Sequence, residues 1–255
     1  MIKAVLLDLG GTLVKYYSMR EFVPLLDAAI EEASRFLKGR GVAIPPPGSI
    51  RSAVAAENYE AEDCSVRPLE RRLARIFGLT LPGDDPETLD GMCRAFMSPI
   101  FSISRVYPDA IPVLEWLEDR GLTRLIVSNL AWGCPRHLWY EEVRRHGLDS
   151  LVDGFLCCRD VGWRKPAREV FAEALRRTGS SAEETLFVGD DVRCDVEGPR
   201  KHGITAVHLD REGVYHDSEG IRIPTLADLP EVVRAIDASG ALLSGHKEDV
   251  KCSQR

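Results

Sequence analysis

The sequence predicts an α/β protein: a doubly wound parallel sheet carrying an inserted α-helical cap domain. Two observations lead there. Short continuous apolar runs alternate with amphipathic helical patterns along most of the chain, the order that yields parallel strands joined by helical crossovers. One interval, residues 16–105, breaks the alternation and holds only helical periodicity.

Residues 2–7 form a continuous apolar run that ends at Asp8 and the pair Gly10, Gly11, which reads as a buried strand feeding a tight turn. The interval that follows opens with Tyr16 and Tyr17. In it Phe22, Leu25, Leu26, Ala29, Ala33, Phe36 and Leu37 recur at three- and four-residue spacing, predicting one long helix that stops at Gly39 and Gly41. A loop of Pro45, Pro46 and Pro47 precedes helical stretches at 50–62, 69–77 and 86–102. Four such helices are expected to bury a small core of their own, so 16–105 reads as the cap domain and 1–15 plus 106–238 as the core. Beyond it, helices at 110–120, 135–146, 168–178 and 192–202 alternate with strands at 122–127, 154–158, 185–188 and 204–209. A short strand at 221–223, a helix at 227–236 and a polar tail, 239–255, read as flexible, complete the chain.

Composition excludes several functions. Lys and Arg total 33 against 40 Asp and Glu, a net charge of −7, so nothing draws the whole molecule to nucleic acid or to anionic membranes. Arg71, Arg72, Arg75, Arg144 and Arg145 fall in helical patterns and read as solvated faces. The seven cysteines are odd in number and scattered, with Cys157 and Cys158 adjacent and no CxxC pair; buried or idle thiols in a reducing compartment account for them. The N-terminal apolar run is broken by Asp8 and lacks a charged lead and a small-residue cleavage site, so a cytoplasmic location is expected.

Ligands of such sheets bind outside the carboxyl ends of the strands. The residues found there are Asp8 with Gly10, Gly11 and Thr12, then Ser128 with Asn129, then Lys165, then Asp190, Asp191 and Asp195. Carboxylates gathered at one sheet edge repel unless a cation joins them, and an oxygen-only donor set favours magnesium over zinc. Ser128, the amides of the Gly10–Gly11 turn and the charge of Lys165 suit a phosphoryl group. An aspartate facing that group can attack phosphorus directly. None of the six histidines directly follows a strand.

At these residues the chain resembles the haloacid dehalogenase-like hydrolase superfamily, whose four motifs match DLGGT (8–12), SN (128–129), Lys165 within VGWRKP, and GDDVRCD (189–195). The resemblance covers almost the whole chain and implies a Rossmann-like core with a helical cap after the first motif. It also implies that Asp8 is the nucleophile, forming an aspartyl phosphate, that Ser128, the amide of Asn129 and Gly10 bind phosphate, and that Lys165 steadies phosphate and nucleophile. Magnesium would be held by Asp8, the carbonyl of Gly10 and Asp190, with Asp191 and Asp195 supporting its shell.

One departure bears on chemistry. Phosphatases of the superfamily carry a second aspartate where this chain has Gly10; that side chain protonates the leaving oxygen and later activates water. General acid–base catalysis is typically worth about 10²–10⁴ in rate, so alkyl phosphates should suffer while acyl phosphates, which leave without a proton, should not. The implied function is a magnesium-dependent phosphohydrolase acting on a small soluble phosphorylated compound. Alternatives are carbon–halogen cleavage by the same nucleophile, against which the acidic GDD stands; phosphonate cleavage through a cap lysine, for which Lys38 is the nearest candidate; and a noncatalytic phosphate-binding regulator. Trp132 and Trp163 flank the second and third motifs and could stack on a substrate ring; the alternative is that Trp132 and Trp139 pack the following helix against the sheet. Tyr16 and Tyr17 either face substrate or pack at a hinge.

Overall fold

Four consecutive side chains of β1 (Ala4–Leu7) are fully buried, which requires neighbours on both edges and both faces. The structure is a computed structural model that describes residues 1–18, 20–79, 85–214 and 220–239, so most of the polar tail, 240–255, lies outside the described residues. The strands that follow are β2 (Val14–Lys15), β3 (Arg105–Val106), β4 (Thr123–Ser128), β5 (Gly154–Cys157), β6 (Thr185–Gly189), β7 (Thr205–Leu209) and β8 (Ile221–Ile223). Six of them form one parallel sheet in the order β5-β4-β1-β6-β7-β8. The chain leaves β1 for β4 and β5 on one side and returns to β6 on the other, so the carboxyl ends of β4, β1 and β6 border the switch-point crevice.

Strand alternation divides the core. Leu6 pairs in register with Leu125 and Phe187, and these face Val170, Phe171 and Ala174 of a single helix. Val5 and Leu7 face the opposite way into a larger core. Burying one such Leu or Phe side chain is worth roughly 1.5–3 kcal/mol, so the alternation sets the register firmly.

The helices are α1 (Phe22–Gly39), α2 (Pro47–Glu57), α3 (Leu69–Ile76), α4 (Pro86–Ser102), α5 (Ala110–Asp119), α6 (Arg136–Arg145), α7 (Cys158–Val161), α8 (Arg168–Thr178), α9 (Gly198–Arg200) and α10 (Leu229–Ser239). Their buried residues in 16–105, among them Ala33, Leu73 and Phe96, are continuous with the larger core through Tyr16, Trp132 and Trp139. At the two ends of this segment β2 and β3 pair antiparallel, Val14 with Val106 and Lys15 with Arg105, a ladder that two-residue strands leave invisible to periodicity. Among the described residues no helix is long and apolar enough to cross a membrane.

Three local expectations are corrected. The stretch read as a helix to residue 62 stops at Glu57, because Arg67 takes the carbonyls of Glu57 and Tyr59 at 2.9 and 2.8 Å and Asn58 turns out of the helix. The stretch 192–202 is a wide π turn, Val192–Glu197, followed by α9; Pro199 has no N–H to return to Asp195, which breaks the ladder. Arg72, read as solvated, is 1% exposed, its guanidinium stacked 3.9 Å over the Trp132 ring. The six described cysteines are free thiols; burial pushes Cys157 up to about 12 and also raises Cys158.

Candidate active site

Asp8 follows β1 directly, and its backbone N–H donates to Val188 of β6 at 2.9 Å, which fixes the carboxylate at the crevice. Gly11 then turns the chain at φ +79°, where a Cβ would stand 2.2 Å from Asp190 Oδ2; only glycine admits that approach. Gly10 differs. A Cβ there would meet nothing closer than the Tyr16 ring at 3.4 Å, an ordinary contact.

Lys165 sits in the loop before α8 and is buried. Its ammonium donates to Asp8 Oδ1 at 2.7 Å, to Asp195 Oδ1 at 2.7 Å and to the Val127 carbonyl at 2.8 Å. All three N–H donors are therefore engaged, so what the ammonium offers any further ligand is its charge. The loop is held by Asn129, whose side chain donates to the Lys165 carbonyl at 3.0 Å and accepts from its N–H at 2.8 Å. The amide side chain thus positions Lys165, a role the sequence reading did not assign. Burial opposes the charge on Lys165, yet Asp195 and Asp8 overcome it and raise its pKa.

Asp8, Asp190 and Asp195 each bring a carboxylate oxygen within 4.8 Å of the others. Gly189 allows this, since a Cβ there would lie 2.3 Å from Asp195 Oδ2. Burial lifts the carboxyls of Asp190 and Asp195 above the ordinary range, with Asp8 adding repulsion and Lys165 opposing it. Asp191 lies outside this trio: its side chain accepts from the Cys194 N–H at 2.7 Å and caps the π turn, while its own N–H donates to Asp195 Oδ2 at 3.2 Å. Ser128 closes β4 and is buried, between Val127, whose carbonyl accepts from Lys165, and Asn129, which holds the lysine loop.

The aromatic residues resolve differently from one another. Trp132 packs on Phe96 at 5.3 Å, and Trp139 on Tyr16 and Phe101 at 5.1 and 5.3 Å, so both join the helices of 16–105 to the core. Trp163 packs partly against the α8 face and pairs with Ser65. Tyr16 is buried against Gly10, and its hydroxyl has no hydrogen-bond partner among the described residues. Lys38 ends α1 exposed to solvent, far from a buried amine's environment.

Arg211 was missed altogether. It follows β7 as the other site residues follow their strands, donates to the carbonyls of Gly11 and Thr12 at 3.3 and 2.9 Å, and is clamped by Asp109 at 2.8 and 2.9 Å. That position after a strand was the available signal. The bond braces the turn that carries Asp8.

Similarity to known proteins agrees with this geometry. A glyceraldehyde 3-phosphate phosphatase of Methanopyrus kandleri is 30% identical over 223 residues, 86% of this chain and 88% of its own. That of Methanocaldococcus jannaschii is 27% identical, with 92% and 98% covered. Among solved structures, the HAD phosphatase from Thermococcus onnurineus superposes with a TM-score of 0.64 at 24% identity over 91% of this chain and 98% of its own. The 2-haloacid dehalogenase from Pseudomonas syringae pv. tomato superposes at 0.67 and 24% over 92% and 99%. These two speak for the fold, which hosts both chemistries. The profile of the haloacid dehalogenase-like hydrolases matches residues 2–203, every segment that supplies Lys165 and its carboxylates, and the chain accordingly belongs to that family of hydrolases.

Proposed function

We propose that this chain is a magnesium-dependent phosphohydrolase that cleaves a small soluble phosphorylated compound through an aspartyl phosphate on Asp8. The observation that carries the reading is the charge balance at the sheet edge: three carboxylates lie within 4.8 Å of one another and two of them, Asp8 and Asp195, are bonded to one buried ammonium. The named activity of the Methanopyrus and Methanocaldococcus relatives supports it.

The residues fit a divalent cation, because the donors are all oxygens and three carboxylates gather around a single ammonium. Asp8, Asp190 and the Gly10 carbonyl would hold it, with Asp195 and Asp191 around them. Bound there, it supplies positive charge against the phosphoryl oxygens. Asp8 attacks phosphorus, and the bond to the leaving oxygen breaks with its electron pair going to that oxygen. The Ser128 hydroxyl and the Asn129 amide donate to the phosphoryl oxygens, while Lys165, donating to Asp8 Oδ1, keeps that carboxylate oriented. Water then attacks the acyl phosphate, releasing inorganic phosphate and restoring Asp8. Residues 16–105 act as a cap over this crevice, hinged at the β2–β3 ladder and excluding bulk water when closed.

Purified protein should release phosphate in the presence of magnesium and lose that activity in a chelator, with acetyl phosphate preferred to sugar phosphates and nucleotides. Release from none of these compounds would overturn the proposal. Gly10→Asp should raise turnover of alkyl phosphates by about 10²–10⁴ and that of acetyl phosphate by less, because acetyl phosphate gains only the activation of water and needs no proton on its leaving group. The Cβ has room against Tyr16, so the folded state tolerates the change. No gain would show that another group already supplies the proton.

A further inference from the structure

Two arginines from different parts of the chain meet beside the lysine loop. Arg164 immediately precedes Lys165; its backbone N–H donates to Cys64 at 2.8 Å and its Nη1 to the Leu130 carbonyl at 3.0 Å. Arg72, from α3, spends Nη2 on the carbonyls of Glu57 and Tyr59, while its buried Nε and Nη1 lack a hydrogen-bond partner among the described residues. Burial lowers the Arg72 pKa to about 10, with Glu60 opposing that and Arg67 adding to it. A buried guanidinium with two unmatched donors is costly, and an anion is the group that relieves it.

One carboxylate already lies between the two. Glu60 Oε2 stands 3.2 Å from Arg164 Nε and its Oε1 4.0 Å from Arg72 Nη1, and the side chain is 47% exposed. The other nearby acid, Glu57, is engaged by Arg67 and Arg75. Two forked cations thus share a single half-exposed carboxylate held at a long distance from one of them. The arrangement is that of a carboxylate standing where a ligand's anionic group would fit.

We infer that Arg72 and Arg164 form a second anion site, occupied by the Glu60 carboxylate, that receives a further anionic group of the substrate. This rests on the phosphohydrolase reading and narrows it to phosphate esters bearing a second carboxylate or phosphate. Exchange of Glu60 for the ligand group keeps both arginines paired, and a two-oxygen anion matches the guanidinium fork. A neutral substrate tail leaves Glu60 in place and gains nothing. The competing role for Glu60 is a latch tying residues 57–67 to the core.

The test is titration calorimetry on the full chain carrying Asp8→Asn, with magnesium, so that binding is read without turnover. The probes are matched pairs: 2-phosphoglycolate with ethylene glycol monophosphate, and 3-phosphoglycerate with glycerol 3-phosphate. The carboxylate member of at least one pair should bind tenfold or more tightly. Adding Arg164→Gln should bring that ratio near one, and adding Glu60→Gln should widen it. Arg164 is only partly buried, so its replacement spares the fold a buried vacancy at Arg72. Equal binding within both pairs, binding of neither member, a ratio that survives Arg164→Gln, or a ratio that shrinks in Glu60→Gln would overturn the second anion site. Phosphate release by the wild-type chain from the same compounds is scored separately: a preserved binding ratio without release sinks the hydrolytic reading and leaves the anion site standing.

Discussion

Asp8→Asn should abolish phosphate release while leaving the protein folded. The amide is isosteric with the carboxylate and retains an oxygen for the Lys165 bond, now 2.7 Å long. It is not a nucleophile, so the covalent route is closed, and kcat should drop on the order of 10⁴-fold or more. The variant also removes one of three mutually repelling carboxylates, so its melting temperature should stay near that of the wild type or rise. Phosphate release and a thermal melt on the same preparation check both halves. A variant that keeps a tenth or more of the wild-type rate would place the nucleophile elsewhere.

Lys165→Met should cost both activity and stability. The ammonium neutralises Asp8 and Asp195 and also satisfies the Val127 carbonyl, and methionine does none of these. Breaking a buried ion pair from one side costs roughly 3–5 kcal/mol. At about 2–4 °C per kcal/mol for a chain of this size, the melting temperature should fall by roughly 6–20 °C. The sign with pH follows from linkage. Lys165 has a folded pKa above its unfolded one, so its contribution is fully present below the unfolded value and is lost only as pH rises through the folded value, above the physiological range. Asp190 and Asp195 have raised folded values, so they resist ionisation in the fold, and without Lys165 the penalty grows as pH rises through their range. Measured in a chelator, the deficit of Lys165→Met should therefore be smaller near pH 5 than near pH 8. A deficit of the same size at both would show that lost packing dominates.

Much of the fold is written locally. The runs at 2–7, 122–127, 154–158, 185–188 and 204–209 each became a strand of the main sheet, because a continuous apolar stretch bounded by turn residues has few other ways to be buried. The helices at 168–178 and 86–102 fall on their predicted residues for the same reason: one apolar stripe, one stop signal. What periodicity does not encode is a pairing of one or two residues with a distant partner. The β2–β3 ladder, the burial of Arg72 over Trp132 and the Arg211 brace on the Asp8 turn all depend on which segments the chain crossings bring together.

The site divides along the same line. By itself the sequence determined the fold class and which residues stand at the carboxyl ends of the strands, because strand ends and chemistry-bearing side chains are both local facts. Asp8, Ser128, Asn129, Asp190 and Asp195 were legible in that way, and Lys165 through the motif around it. Only the tertiary structure decided their division of labour. It joined Lys165 to Asp8 across 157 residues and to Asp195 across 30, turned the Asn129 amide onto the lysine loop, and set Asp191 to cap a π turn outside the carboxylate trio. The physical reason is that a buried charge takes whichever partners lie within about 3 Å, and that distance is set by the packing of whole strands and helices rather than by spacing along the chain.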